Sequence, residues 1–381
     1  MKKDRKKICI STVHYPPYTG GVGKYSQSIA SELTKMGHHI TVVTTNCDNY
    51  SLDEKDKDIS FYRLKSLMLI HGRFPIPYPC AKSFLLIKQI KDARFDSMVI
   101  NCRFYLQSLL MAYLAYKNNI KCLVIEHGSA HLTFNNRLLD LATNLYEHCI
   151  TSLLKRYCKN FCAVSAGGKR WLNHFAITGQ GVLPNCVDSH AIEDILTKRK
   201  RNFRDEFHLP KEAIVISFIG RLFKFKGILQ LLAAFQKLSE ENKNIFLFIA
   251  GDGVLYPTIK AKANKNIIVL GSLSFEECII LQHQTDIFCL PSDSEGFASV
   301  LLEAAICESY VVCTKACNVE DLILDDTYGI VLNDNTQESI YAGLKKAINN
   351  KNKITAIKKL KELVLQKFTW ERTAKKLLQN L

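Results

Sequence analysis

The chain has 381 residues, 47% hydrophobic and 23% charged. This balance excludes disordered, collagen-like and fibrous classes and, at roughly 150 residues per domain, a single small module. Its 51 Lys and Arg against 36 Asp and Glu leave +15, which asks for an anionic partner or surface. Residues 1–185 hold 25 basic and 12 acidic side chains, net +13, so only +2 remains for the rest. The 14 cysteines stand singly, with Cys9, Cys102, Cys122 and Cys289 inside apolar runs; they read as reduced, buried thiols of a cytoplasmic chain. No CxxC pair is present, and Cys313 with Cys317 lacks a matching His or Cys pair, so no structural zinc site is expected. The basic start leads into too short an apolar stretch for a signal peptide, and no run reaches the ~18 apolar residues of a membrane span. The expectation is a cytoplasmic protein, attached at most to the inner face of a membrane.

In chain order, residues 7–12 favour a strand, 15–23 form a Pro- and Gly-rich loop, and Ile29, Ala30, Leu33 and Met36 mark one face of a helix that Gly37 closes. A strand at 39–45 completes a β-loop-α-β unit, which implies parallel pairing with a right-handed crossover. Further strands are expected at 97–101, 121–126, 161–164 and 182–183. After the polar, basic stretch 197–204 a second series begins, with strands at 213–219, 245–250, 267–270, 287–290 and 310–313 and helices between them. The last segments, 336–349, 353–366 and 369–381, read as helices. Two such series imply two doubly wound parallel-sheet domains, with ligands at the carboxyl ends of strands in the cleft between them.

Four loops at those strand ends carry candidate chemistry. Gly20-Gly21-Val22-Gly23 lies between strand and helix but lacks the GxGxxG spacing of a dinucleotide site. Its glycines let backbone amides approach an anion or sugar at a helix N-terminus, although a flexible turn explains them equally well. Arg221 offers a planar fork and Lys226 a point charge after another strand, a pair suited to clamping a diphosphate; the alternative is a solvated basic loop. Gly251-Asp252-Gly253 is as readily a turn. The strongest segment is Pro291 to Phe297, followed by a helix at 298–307. It places Glu295 at the helix N-terminus and Glu303 among Leu301, Leu302, Ala304 and Ala305, where a buried carboxylate needs a partner and sugar hydroxyl pairs suit it. The plainer account has Glu295 favouring the helix dipole and Glu303 facing solvent. Finally, His127 at the end of an apolar run can hydrogen-bond a substrate hydroxyl or assist proton transfer; a lone histidine is more often structural.

Together these residues resemble the retaining nucleotide-sugar glycosyltransferases of family 4, which have the two-domain GT-B fold. The motifs GGVGKY, EHG, AVSAGGKRWL, LPNCVD, FIGRLFKFKG, AGDG and SEGFASVLLEAA occur in the expected order. The last contains the family's Glu, seven residues, Glu pattern as Glu295 and Glu303. The resemblance implies that Arg221 and Lys226 hold the donor diphosphate and that Glu303 takes the ribose hydroxyls. It implies that Glu295 and the amides of Gly296 and Phe297 position the sugar, with His127 near its reacting face and Gly21 and Gly23 close to donor and acceptor. It implies no cofactor and no metal, the nucleoside-diphosphate sugar being a substrate. It also implies an acceptor-binding domain at 1–183, a donor-binding domain at 184–365, and a final helix at 366–381 packing back on the first. Four places depart from the family pattern: Cys186 and Ala316-Cys317 where glycines are usual, and Glu308 and Tyr310 in place of a glycine and a proline.

The acceptor domain generally meets the acceptor, and here it carries the charge. The expected partners are therefore a nucleotide sugar, a lipid-linked glycan acceptor for surface polysaccharide and an anionic membrane surface. Nucleic acid is not expected, since the basic residues are dispersed and no nucleic-acid module is present. A nucleotide-sugar epimerase or phosphorylase of related architecture, or a silent sugar-nucleotide-binding subunit, are the alternatives.

Overall fold

The computed structural model describes residues 5–16, 20–46, 53–56, 59–69, 74–133 and 136–381. The chain divides into two units, one formed by residues 1–185 and 370–381 and the other by 186–369. The crossing back falls at 369/370, within the stretch read as the last two helices.

In the first unit, β1 (Lys7–Ser11), β2 (His39–Asn46), β3 (Asp53–Asp56), β4 (Ile59–Leu69), β5 (Phe74–Pro77), β6 (Ser97–Asn101), β7 (Lys121–Glu126), β8 (Asn160–Ala163) and β9 (Gly181–Val182) form one sheet. Its order is β3-β4-β2-β1-β6-β7-β8-β9, with β5 paired to β4. The central strands pair in parallel, and Ile8, Cys9 and Ile10 of β1 are fully buried. A strand covered on both faces reads as a continuous apolar run, which is why these strands are visible in the sequence. The edge departs from an all-parallel sheet, because β3 and β5 run antiparallel to β4. The helices are α1 (Gly21–Lys35), α2 (Ala81–Asp92), α3 (Leu106–Lys117), α4 (Arg137–Tyr157) and α5 (Ala166–Leu172). α1 buries Tyr25, Ile29, Ala30 and Leu33, the stripe its periodicity marks out. Asn136 caps α4 and Ser165 caps α5 through side-chain oxygens that accept backbone N–H groups.

The second unit has α6 (Ser189–Lys198), α7 (Phe203–Glu206), α8 (Ile228–Glu241), α9 (Tyr256–Lys260), α10 (Phe275–His283), α11 (Ser299–Ile306), α12 (Gln337–Ile348) and α13 (Lys353–Lys367). They accompany a parallel sheet of β10 (Ile214–Ile219), β11 (Ile245–Ala250), β12 (Ile267–Gly271), β13 (Ile287–Leu290), β14 (Tyr310–Thr314) and β15 (Ile330–Leu332). The order β12-β11-β10-β13-β14-β15 reverses direction between β10 and β13. The corresponding reversal in the first unit lies between β1 and β6. Loops leaving the carboxyl ends of such strand pairs diverge and open a crevice for ligands. The final helix, α14 (Trp370–Asn380), belongs to the first unit. Its Trp370 ring packs edge-on against Tyr25 of α1, 5.5 Å between centroids.

Candidate active site

In the second unit the two loops at the reversal are 220–227, after β10, and 291–298, after β13. They are locked together by close backbone approach. A Cβ on Gly227, whose φ is +70°, would lie 2.0 Å from the Pro291 carbonyl oxygen, and one on Gly251 would lie 1.9 Å from that of Gly220. No other residue fits either place without moving the backbone. The Gly251-Asp252-Gly253 segment thus supports the basic loop, with the Leu222 N–H donating to the Asp252 carbonyl at 2.8 Å. The Asp293 N–H donates to Phe225 O at 2.7 Å and joins the two loops directly.

This framework brings together residues 69 positions apart. Lys226 Nζ pairs with Glu295 Oε1, both side chains largely shielded from solvent. Ser292 Oγ donates to the same carboxylate oxygen at 2.9 Å, and Asn318 Nδ2 donates to the Glu295 carbonyl. Arg221 is exposed beside them, its guanidinium 5.5 Å from the centre of the Phe223 ring. Phe297 is buried against Phe368, 5.8 Å between centroids. Glu303 sits half-buried on α11 between buried Leu302 and Ala304. Ser292 lies within the segment singled out from the sequence but was given no role there, and Asn318 escaped the sequence reading. Ser292 follows directly on an apolar strand end, a signal open to use, whereas Asn318 reaches Glu295 only through the fold.

The first unit places Gly20 at the N-cap of α1 and Gly21 and Gly23 in its first turn. A side chain at Gly20 or Gly21 would meet nothing within 4 Å, whereas Gly23 lies close against the His14 carbonyl. His127, after β7, sets its ring edge-on to Tyr25 at 4.8 Å, and its Nε2 lies 2.8 Å from Asn101 Oδ1 at the end of β6. Asn101 Nδ2 is spent on Ser26 Oγ at 3.1 Å, so the amide oxygen faces the histidine and Nε2–H is the donor. Burial lowers the His127 pKa to about 3. The imidazole is neutral at physiological pH and leaves Nδ1 as an acceptor, which suits a hydroxyl partner better than acid catalysis. Asn101, a polar residue closing an apolar strand at the reversal, was readable by the logic that picked out His127.

The departures from the family pattern have local accounts. Glu308 adopts φ 64° after α11. Its N–H bonds Ala305 O and the Ser309 N–H bonds Ala304 O, the two bonds of a Schellman helix end. The glycine position is filled by a strained glutamate whose carboxylate pairs with Lys361 Nζ at 2.7 Å. Near Ala316-Cys317 the left-handed residue is Asn318, φ 54°. Ala316 O accepts the Glu295 N–H, and buried Cys317 packs beneath β13 with Sγ 3.5 Å from Leu290 O. Cys186 is buried and has no positive φ.

Two doubly wound units, each with its reversal flanked by the expected polar loops, define a GT-B glycosyltransferase fold. Residues 19–191 match the family profile described as Glycosyltransferase Family 4, and residues 199–362 that described as Glycosyl transferases group 1. The chain belongs to glycosyltransferase family 4. It is 25% identical to an uncharacterized glycosyltransferase of Methanocaldococcus jannaschii over 97% of this chain and 96% of the relative. A lipopolysaccharide 1,2-N-acetylglucosaminetransferase of Salmonella typhimurium is 28% identical over 47% of this chain and 51% of its own. Among solved structures, Anabaena HepE in complex with UDP-glucose superposes with a TM-score of 0.72 at 15% identity, covering 99% of this chain and 100% of that one.

Proposed function

We propose that this glycosyltransferase moves a sugar, with retention at the anomeric carbon, from a nucleoside diphosphate to a hydroxyl of a lipid-linked glycan in surface polysaccharide synthesis. The observation that carries the donor assignment is the Lys226–Glu295 pair at the β10/β13 reversal. It sets a cation for the leaving diphosphate against a carboxylate for the sugar, with Arg221 on the same loop. Diphosphate gains negative charge as the glycosidic bond breaks, so a fixed Arg and Lys stabilise the transition state most, and the transfer is proposed to need no divalent metal. Glu303 takes the ribose hydroxyls, the Gly296 and Phe297 amides and Glu295 hold the sugar, and neutral His127 accepts a sugar hydroxyl. The space beside Gly20 and Gly21 admits donor or acceptor to the start of α1. Retention follows if the acceptor attacks the face from which diphosphate leaves, with a leaving-group oxygen taking its proton. The UDP-glucose held by HepE and the lipopolysaccharide role of the Salmonella relative support the donor and acceptor classes.

The test is a panel of nucleotide sugars offered to the purified chain, read by thermal shift and release of nucleoside diphosphate. One member is expected to bind and turn over; binding by none removes the reading. Charge-assisted hydrogen bonds contribute ~1.5–3 kcal/mol, so Arg221→Ala and Glu303→Ala should each weaken donor binding about 10- to 100-fold with the fold intact. Full activity in both would remove the site assignment.

A further inference from the structure

We propose that the first unit holds a zinc-type divalent cation on His131, His148 and His174, a site separate from the transfer residues. The three side chains come from different elements: the loop after β7, the middle of α4 and the short turn after α5. One ring nitrogen from each lies within 4.8 Å of the other two. His174 Nε2 is 3.1 Å from His131 Nε2 and 3.2 Å from His148 Nε2. Zinc–nitrogen bonds of 2.0–2.1 Å in a tetrahedron separate the donor nitrogens by about 3.3–3.4 Å, close to the two separations made by His174, while His131 and His148 lie within 4.8 Å of each other. Without a cation the contact is poorly satisfied, because a single Nε2–H on His174 is directed well at only one of its two neighbours.

The surroundings are those of a metal site. His131 Nδ1 lies 3.2 Å from Glu147 Oε2. A carboxylate there fixes the proton on Nδ1 and turns the Nε2 lone pair toward the cluster, the usual arrangement behind a metal-bound histidine. Glu147 is in turn held by Arg103 Nη2 at 2.9 Å and by the Leu132 N–H at 3.0 Å. Arg103 Nε also pairs with Glu126 Oε2 at 2.9 Å, and all three charged side chains are about 1% exposed. Two carboxylates against one guanidinium leave a formal surplus of one buried negative charge, which a neighbouring divalent cation offsets. Exposed His174 opens the cluster to solvent, and three histidines leave a fourth position for water. The cation would tie the loop that begins at His127 to α4 and to the end of α5.

The experiment uses the full chain without a polyhistidine tag, stripped by chelator and titrated with Co2+. About one equivalent should bind with the visible d–d absorption of tetrahedral cobalt and without a thiolate charge-transfer band, and Zn2+ should displace it. His174→Ala, at an exposed position, and His148→Ala should keep the native circular dichroism. Each should lose the visible band and bind cobalt at least ~100-fold more weakly, extrapolating from the 10–100-fold effects of losing an outer-shell partner. Zn2+ should raise the melting temperature of the wild type and of neither variant. Equal cobalt binding by wild type and both variants, absence of the visible band at one equivalent, or a thiolate band retained in the variants would overturn the proposal. These readouts involve no sugar transfer and stand apart from the proposed reaction.

Discussion

Glu308 shows how a single backbone angle is decided. A residue with a Cβ in the left-handed region costs roughly 1–2 kcal/mol, and the Lys361 ion pair across an open surface returns at most about 1 kcal/mol. The Glu308→Gly and Glu308→Ala variants lose the same pair but differ in strain. Glu308→Gly is therefore expected to be the more stable by about 1 kcal/mol in denaturant unfolding. Equal midpoints would show that the helix end relaxes around the glutamate. That a glycine was displaced here was legible in the sequence, because the residue departs from a known pattern. That Asn318 supplies the other left-handed turn, at the end of the short turn 315–317, was not, since no spacing in the sequence marks it.

At the scale of elements, the candidate donor site depends on contact between the loops after β10 and β13. The Gly227→Ala variant would force its new methyl group into the Pro291 carbonyl and strain a φ of +70°, so the loops carrying Lys226 and Glu295 must separate. The expectation is a loss of more than about 2 kcal/mol of stability in the second unit, with donor binding lost by calorimetry. Near-native stability with intact binding would show that the loops do not need this contact. The elements themselves were readable wherever burial on both sides made a strand uniformly apolar. The stretch 53–77 was not, because its antiparallel pairs at the sheet edge mix Pro, Lys and Asp into the strand pattern. α4 also escaped, since its outward face carries Leu138, Leu141 and Leu145, which are 81%, 68% and 66% exposed.

For the molecule as a whole, the two units sharpen the charge asymmetry. Residues 1–185 and 370–381 hold 28 basic and 13 acidic side chains, net +15, while 186–369 hold 23 of each. No helix among the described residues is long and apolar enough to cross a membrane. The proposed lipid-linked acceptor accords with the exposed leucines of α4, spaced three and four apart, and with exposed Phe84 and Leu85 beside Lys82 and Lys88 on α2. We expect the chain to sediment with anionic vesicles at low salt and to be released at high salt, at about 1 kcal/mol per basic side chain near the surface. Equal recovery with neutral vesicles would rule out electrostatic docking.

The sequence by itself determined the class of fold and the family and marked out the candidate donor-site residues, because each depends on local patterns: apolar runs, glycines at strand ends, a Glu pair at helical spacing. The tertiary structure alone decided what those residues touch. It paired Lys226 with Glu295 across 69 residues and set His127 on Asn101. It returned the final helix to the first unit, and it gathered three histidines scattered over 44 positions of chain around one point. Those contacts join segments remote in sequence, and no local spacing records a distance that is set only when the sheet brings its strand ends side by side.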